Sequence, residues 1–203
     1  MAQIPGGGAA IPAVTVLYNP HAGRGRARAH LDRLRSALAT HFGEVTWHET
    51  TAPGDATRVA KTITDGMVLA AGGDGTVNEV LLGLAEGGCL DSVTLGVVPV
   101  GTGNDLARHL GIPNLDAFLE ALPRLVPTRL DAGEVEGGGL FLNVVACGFD
   151  AVVGQRINSG YRWLTGTTAY LAAVVESLAK YRAVPMQVVV DGQTVFDGRG
   201  MLC

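Results

Sequence analysis

The sequence predicts an α/β fold: an N-terminal parallel sheet with helices on both faces, followed by an incomplete, mostly antiparallel β-rich second domain. Up to residue 127, short runs that are apolar throughout alternate with stretches of helical periodicity, the pattern of a parallel sheet covered by helices on both sides. From Thr128 onward, strand-like runs follow one another with one long helical stretch between them. We therefore divide the chain into a flexible tail (1–12), a first domain (13–127) and the start of a second domain (128–203) that we expect to be truncated.

Four apolar or β-rich runs predict the strands of the first sheet, at residues 13–18, 44–50, 67–71 and 93–100. Apolar residues at helical spacing predict three helices between these strands. Their apolar faces are formed by Leu31, Leu34, Leu38 and Phe42 in the first helix, by Ala56, Val59, Ala60 and Ile63 in the second, and by Val77, Val80, Leu81 and Leu84 in the third. Asp55 would start the second helix. A fourth helix should run through Leu110. In the second domain we predict strands at 128–135 and 140–149, a helix at 161–181, and strands at 186–190 and from 195 on.

Composition narrows the classes of function. The formal net charge of −4, with no basic stripe, argues against nucleic-acid binding. The three cysteines, Cys89, Cys147 and Cys203, form neither a CxxC pair nor an even set, so we expect reduced thiols in a cytoplasmic protein and no disulfide or metal chemistry. No apolar run reaches the roughly 18 residues that cross a bilayer, so a membrane substrate would be met from the surface.

Six of the 29 glycines lie in three loops that directly follow predicted strands. Such loops lie at residues 19–23, 72–76 and 101–105, and the carboxyl ends of parallel strands share one edge, where ligands of such sheets bind. Glycines that lead into a helix leave backbone N–H groups open to phosphate oxygens. Asp74 could hold Mg²⁺ beside them, and Thr76 and Asn78 could donate to phosphate or ribose. The alternative is an ordinary tight turn capped by Asp74 or Thr76.

Two strings carry a family resemblance, GGDGTVNEV at 72–80 and PVGTGNDLAR at 99–108. Together they resemble the catalytic domain of diacylglycerol kinases and the related bacterial lipid kinases, a group that includes sphingosine and ceramide kinases. The segments 19–23 (NPHAG), 130–133 (LDAG) and 143–150 (NVVACGFD) are similar to family stretches too. Thr50 matches a threonine that the family uses near the nucleotide, with Thr51 as the alternative.

The resemblance implies a Rossmann-like first domain, with ATP and Mg²⁺ held between two domains and phosphate transferred to a lipid hydroxyl, diacylglycerol above all. It also implies a cytoplasmic protein that meets its lipid at the inner membrane face, and it leaves a homodimer open. Asp74 would position Mg²⁺ and phosphate. The resemblance assigns the following residues to the nucleotide: Asn19, Gly23, Arg24, Thr50, Gly72, Gly73, Asp74, Gly75, Thr76, Val77, Asn78, Glu79, Gly101, Thr102 and Asn104.

Three alternatives to a lipid kinase remain. An NAD kinase shares GGDGT, although PVGTGNDLAR favours the lipid kinases. A nucleotide-binding module without catalysis belongs to a different class, and a dehydrogenase-type Rossmann protein is the most distant alternative. A P-loop is excluded, because neither lysine, Lys61 or Lys180, lies in a GxxxxGK[ST] loop; Arg24 is then the best candidate for neutralising phosphate charge. The resemblance places the general base in a DGE-type segment beyond Cys203, so we expect the 203-residue chain alone to be inactive or nearly so.

Overall fold

The computed structural model describes residues 13–25, 27–160 and 167–203, and these divide into two compact units, one up to Asn143 and one from Val144 on. The predicted tail at 1–12 lies outside the described residues. The domain boundary near residue 127 remains a prediction, although the segment 128–143 belongs to the first compact unit.

A four-stranded parallel sheet forms the centre of the first unit. Its strands are β1 (Val14–Tyr18), β2 (Val45–Glu49), β3 (Gly66–Gly72) and β4 (Val93–Pro99). Their order across the sheet is β2-β1-β3-β4, and every pair is parallel. All four strands lie where the sequence predicts them. Because successive side chains point to opposite faces, the full burial of both Val16 and Leu17 shows that both faces of the sheet are covered.

Among the described residues of this unit, five α-helices accompany the sheet: α1 (Ala27–Phe42), α2 (Asp55–Ala60), α3 (Asp74–Glu86), α4 (Asp105–His109) and α5 (Leu115–Ala121). The periodic apolar residues of α1 and α3 face the core, where Leu34, Leu38, Val80 and Leu84 are buried. The α/β prediction is therefore confirmed. Helix α5, which the sequence pattern does not predict, adds the fully buried Phe118 to the same core.

The order of the strands creates a crevice at the carboxyl edge of the sheet. From β1 the chain crosses to β2 on one side, then returns past β1 to β3 and continues to β4. The direction of winding therefore changes between β1 and β3. In open parallel sheets, such a switch point is where the loops diverge and ligands bind.

Helices α2 and α3 pack unusually closely. A Cβ on Gly83 of α3 would lie 2.4 Å from the carbonyl oxygen of Thr57 and 2.7 Å from the Cβ of Ala60 in α2. One turn later, a Cβ on Gly87 would lie 2.7 Å from the carbonyl oxygen of Lys61. The hydroxyl of Thr57 donates a 3.0 Å hydrogen bond to the carbonyl oxygen of Glu79. Glycine within α3 and at its C-terminal cap is therefore what lets the two backbones approach each other.

The segment after α5 differs from the prediction. The strand expected at 128–135 is confined to β5 (Gly133–Val135), and it pairs antiparallel with β6 (Gly139–Phe141). The strand expected at 140–149 ends at Phe141, and Phe149 begins a helix instead.

The second unit contains α6 (Phe149–Gly160), α7 (Thr167–Lys180) and an antiparallel hairpin of β7 (Val184–Val190) and β8 (Gln193–Gly200). The hairpin and the later part of the predicted helix at 161–181 are confirmed, while residues 161–166 lie outside the described part. Phe149 and Val153 are buried, and Phe149 meets Tyr181 edge to face at 5.6 Å between ring centroids. The antiparallel character predicted for this region is therefore present.

Candidate functional site

The three glycine-containing loops meet at one edge of the sheet, as predicted. The N–H of Asn19, after β1, donates to the carbonyl oxygen of Ala71 at the end of β3 at 2.9 Å. The N–H of Gly101, after β4, donates to the carbonyl oxygen of Gly72 at 3.1 Å. Thr50, after β2, donates through its N–H to the carbonyl oxygen of Tyr18 at 2.9 Å. The ends of all four strands are thus joined by backbone hydrogen bonds.

The first turn of α3 offers unpaired backbone donors. Thr76 and Val77 donate their N–H groups to the carbonyl oxygen of Gly73, at 3.0 and 3.1 Å. Within the described residues, the N–H groups of Asp74 and Gly75 have no hydrogen-bond acceptor, and no side chain caps this helix end. A Cβ on Gly75 would have no atom within 4 Å. The helix therefore begins with two free donors beside open space, an arrangement suited to an anion.

Two further glycines at this edge, one in the loop after β3 and one in the loop after β4, are needed for close packing. A Cβ on Gly72 would lie 2.2 Å from the hydroxyl oxygen of Thr76. A Cβ on Gly101 would lie 2.3 Å from the Cα of Gly73. The loops after β3 and β4 therefore touch backbone to backbone, which only glycine permits.

Asn104 shapes the loop after β4. It is buried and adopts a left-handed conformation with φ 55°, and its side-chain amide donates to the carbonyl oxygen of Gly101 at 3.2 Å. Its Oδ1 atom has no donor among the described residues. Thr102, in the same loop, is exposed. Asn104 thus fixes the turn and keeps one acceptor free.

Asp74 links the two loops through its carboxylate. Its Oδ1 accepts the N–H of Leu106 at 3.1 Å, in the first turn of α4. Its Oδ2 lies 3.1 Å from the position that a Cβ of Gly103 would take, and the Oδ2 of Asp105 lies 3.7 Å from the same point. Two carboxylate oxygens thus flank one glycine. Carboxylates of this kind fit Mg²⁺, which binds one or two of them together with phosphate oxygens and water.

A pocket of about 230 Å³ lies beside these loops. It is lined by Asn19, His21, Thr50, Thr51, Ala52, Pro53, Ala56, Thr76 and Glu79. Four of these residues, Asn19, Thr50, Thr76 and Glu79, belong to the predicted set. The side chain of Asn19 joins two of the loops, since its amide donates to the Thr76 hydroxyl at 3.3 Å and its Oδ1 accepts the N–H of His21 at 2.9 Å.

Asp55 fixes the outer wall of this pocket. Its Oδ2 accepts both the N–H and the hydroxyl of Thr51, at 2.8 and 2.5 Å, and its Oδ1 pairs with Arg58 at 2.9 Å. The side-chain hydrogen bond from Thr51 above all, and then the one from Arg58, lower the pKa of Asp55 well below its ordinary value. From the sequence, Asp55 is predicted only as a helix start; the Thr51–Asp55 spacing, with a proline and a glycine between the two residues, is the signal that points to their contact.

Other residues assigned to the nucleotide lie elsewhere or have packing roles. Gly23 and Arg24 take consecutive left-handed conformations in a short 3-10 turn, with φ 60° and 61°, and Arg24 is exposed. Val77 lies in the hydrophobic core. Asn78 is half-buried one turn into α3, outside the pocket lining. The structure therefore brings the loops after the strands together but gives Val77 no contact with the pocket.

The described residues contain no helix long and apolar enough to span a membrane. They also contain no cluster of three or more histidine, cysteine, aspartate or glutamate side chains arranged for a metal ion.

Two family descriptions match the chain. Residues 13–135 match the family described as diacylglycerol kinase catalytic domain. Residues 143–202 match the family described as YegS C-terminal NAD kinase beta sandwich-like domain. The first match covers more than half of the chain.

Known proteins give the same result. A diacylglycerol kinase of Bacillus subtilis (strain 168) is 37% identical over 193 residues, which cover 92% of this chain and 62% of the relative. A diacylglycerol kinase of Staphylococcus aureus (strain MRSA252) is 33% identical over 195 residues, covering 92% of this chain and 59% of the relative. The chain thus spans about three fifths of the length of these relatives.

The fold matches crystal structures as well. A diacylglycerol kinase from Bacillus anthracis str. Sterne superposes with a TM-score of 0.66 at 28% identity, over 94% of this chain and 62% of that one. A second crystal structure from the same organism reaches a TM-score of 0.71 at 27% identity, over 96% of this chain and 66% of that one.

Proposed function

Because the chain belongs to the diacylglycerol kinase catalytic domain family, we propose that it binds Mg·ATP at the carboxyl edge of its parallel sheet and belongs to a kinase that phosphorylates a lipid hydroxyl. Diacylglycerol is the proposed acceptor and phosphatidic acid the product. The cytoplasm is the proposed location, with the lipid met at the inner membrane face.

One observation carries the proposal. The N–H groups of Asp74 and Gly75 are unpaired among the described residues, and the space beyond Gly75 is open. The positive end of the α3 dipole lies at the same place. A polyphosphate offers the acceptors that these donors lack, and backbone amides supply part of the stabilisation that a chain with only two lysines, Lys61 and Lys180, needs.

The neighbouring pocket supports a nucleoside beside the phosphates. Thr50, Thr76 and Glu79 offer hydroxyl and carboxylate groups for ribose, while Ala52 and Pro53 offer apolar surface for a base. Thr76 lines the pocket and directly follows Gly75, whose N–H is free, so the pocket adjoins the free amides. Base, sugar and phosphates would therefore follow one another along the edge of the sheet.

Asp74 and Asp105 would hold Mg²⁺, since their Oδ2 atoms face the same glycine, Gly103. When bound, the ion supplies charge neutralisation for the phosphates. The protein itself contributes orientation: Asp74 is fixed by the N–H of Leu106, and Asn104 holds the loop between them.

Titration calorimetry on the purified chain tests the nucleotide site. We expect saturable binding of ATP that requires Mg²⁺ and that inorganic tripolyphosphate competes for. A folded chain that binds neither ligand would refute the proposal. Because the 203-residue chain alone is expected to be inactive, the acceptor is tested on the whole kinase, by offering it diacylglycerol and NAD together with ATP labelled at the γ-phosphate. Label in phosphatidic acid supports the lipid kinase, whereas label in NADP identifies an NAD kinase.

A further inference from the structure

Cys147 and Cys203 lie directly opposite each other in the second unit. The N–H of Cys147 donates to the carbonyl oxygen of Cys203 at 2.8 Å, and the N–H of Cys203 donates back to the carbonyl oxygen of Cys147 at 3.2 Å. The next N–H in this ladder is that of Phe149, which donates to the carbonyl oxygen of Met201 at 2.7 Å. Between them Gly148 faces Leu202 in an antiparallel bridge. The two cysteines are therefore a hydrogen-bonded antiparallel pair.

This pairing brings the two thiols within reach of each other. Directly opposed residues in a hydrogen-bonded antiparallel pair have Cα atoms about 5.5 Å apart and side chains on the same face. Disulfides most often join Cα atoms about 5.5–6 Å apart. Both cysteines are also exposed, so an oxidant in solution can reach them.

We propose that Cys147 and Cys203 form a reversible intramolecular disulfide, a modification site that is independent of the nucleotide site. The oxidant is a small-molecule disulfide such as oxidised glutathione. The thiolate of one cysteine attacks it, forms a mixed disulfide and releases one glutathione thiolate. The second cysteine then attacks the protein sulfur and releases the other glutathione. Two cysteine thiols are oxidised to one disulfide, and one glutathione disulfide is reduced to two thiols.

The same geometry makes the bond easy to reduce. Opposed Cβ atoms in such a ladder lie about 4.5–5.5 Å apart, whereas a disulfide needs about 3.5–4.5 Å. The two segments must therefore draw together when the bond forms, which strains it. Strained and exposed disulfides are the labile ones. The pair would respond to the thiol balance of its surroundings rather than act as a permanent cross-link.

The third cysteine provides an internal control. Cys89 is buried, and its thiol donates to the carbonyl oxygen of Gly87 at 3.1 Å. It lies in the first unit, after α3, whereas the other two cysteines belong to the second unit. Under native conditions Cys89 should therefore react with neither the oxidant nor an alkylating agent.

Mass spectrometry tests the proposal directly. The dilute chain is incubated with oxidised glutathione, its remaining thiols are blocked with N-ethylmaleimide, and the tryptic peptides are analysed. We expect a peptide pair that joins Cys147 to Cys203 in a monomeric chain, and its loss when reduced glutathione is added in excess. Because the bond closes a loop containing α6, α7 and the hairpin, the oxidised chain should also melt at a higher temperature than the reduced chain.

Two variants separate this pairing from general thiol reactivity. Cys89→Ser should form the bond at the wild-type rate. Cys203→Ser combined with Met201→Cys moves the thiol two residues along the ladder, to a diagonal position about 7–8 Å from its partner, and should form the bond at least about tenfold more slowly. A wild-type chain that yields only glutathione adducts or intermolecular dimers would overturn the proposal, as would a shifted variant that cross-links as fast as the wild type.

Discussion

Replacing Gly75 by alanine should strengthen the fold and weaken nucleotide binding at the same time. Gly75 lies in the first turn of α3 with helical backbone geometry, and an added Cβ would meet no protein atom within 4 Å. The methyl group would instead occupy the open space in front of the free N–H groups of Asp74 and Gly75. The folded protein has room for this methyl group, but a phosphate could no longer occupy the same space.

The two effects have different magnitudes and opposite signs. Exchanging glycine for alanine where the backbone conformation is compatible stabilises a protein by about 0.4–1 kcal/mol, because the unfolded chain loses freedom. A hydrogen bond to a charged group contributes about 1.5–3 kcal/mol. If the methyl group displaces the phosphate from even one amide, the dissociation constant should rise about ten- to hundredfold, since each factor of ten corresponds to about 1.4 kcal/mol.

Urea unfolding without ligand measures the first effect, and titration with Mg·ATP and with Mg·tripolyphosphate measures the second. Gly154→Ala is the matched control. Gly154 lies inside α6, and a Cβ there would also meet nothing within 4 Å. It should give a similar gain in the free energy of unfolding without changing either affinity.

An unchanged affinity of Gly75→Ala for both ligands, together with the expected gain in stability, would refute the assignment of the phosphates to this turn. A loss of stability would instead show that the space beyond Gly75 is not open in the folded protein.

Three further perturbations test the rest of the site. Asp74→Asn keeps an oxygen that can accept the N–H of Leu106 but loses the negative charge. The Mg²⁺-dependent affinity for ATP should therefore fall at least about tenfold, with little change in the urea midpoint. Asp74→Ala loses the hydrogen bond as well, so it should also lower the free energy of unfolding by about 1 kcal/mol, as the loss of a helix cap does. The pKa of Asp55 is lowered in the folded protein, so the stabilisation by its carboxylate is complete above the ordinary carboxyl pKa of about 3.9 and is lost as the pH falls toward the lowered value. The difference in stability between the wild type and Asp55→Asn, measured by thermal melts at several pH values, should therefore become smaller below about pH 4. A difference that becomes larger there would contradict the assignment. Gly101→Ala forces a Cβ to 2.3 Å from the Cα of Gly73 and should lower the free energy of unfolding by about 1–3 kcal/mol. An unchanged urea midpoint would exclude this close contact between the two loops.

The sequence predicted the first unit well because its signals are local. Apolar runs such as residues 67–71 leave little alternative to a buried strand, and Leu31, Leu34, Leu38 and Phe42 fit only a helix with one apolar face. The shared edge of the loops then follows from parallel pairing alone.

Two helices were missed for identifiable reasons. Helix α6 begins at Phe149, directly after an apolar segment that suggested a continuing strand, and it contains two adjacent valines and Gly154, which lower its intrinsic helix propensity. Helix α5 is short, and its burial depends on Phe118 packing into a core built mainly by other elements. Tertiary packing decides both, and propensity does not show it.

The details of the site also depended on contacts between distant segments. The pocket wall at Ala52 and Pro53 has no chemical motif, and the hold of Asp55 on Thr51 is visible only once the loop is built. The opposition of Cys147 and Cys203 joins residues far apart in the chain. Sequence spacing alone gave no reason to consider them together.

The glycine-mediated contact between α2 and α3 has a consequence for how a nucleotide would enter. The wall of the pocket precedes α2 and the amide donors begin α3, so the two sides of the crevice belong to helices whose backbones are in contact. The two sides of the crevice cannot move apart without breaking the contact between α2 and α3. The ligand would meet a cleft already shaped for it, with little chain entropy left to lose, and the rate of capture should depend on diffusion more than on rearrangement.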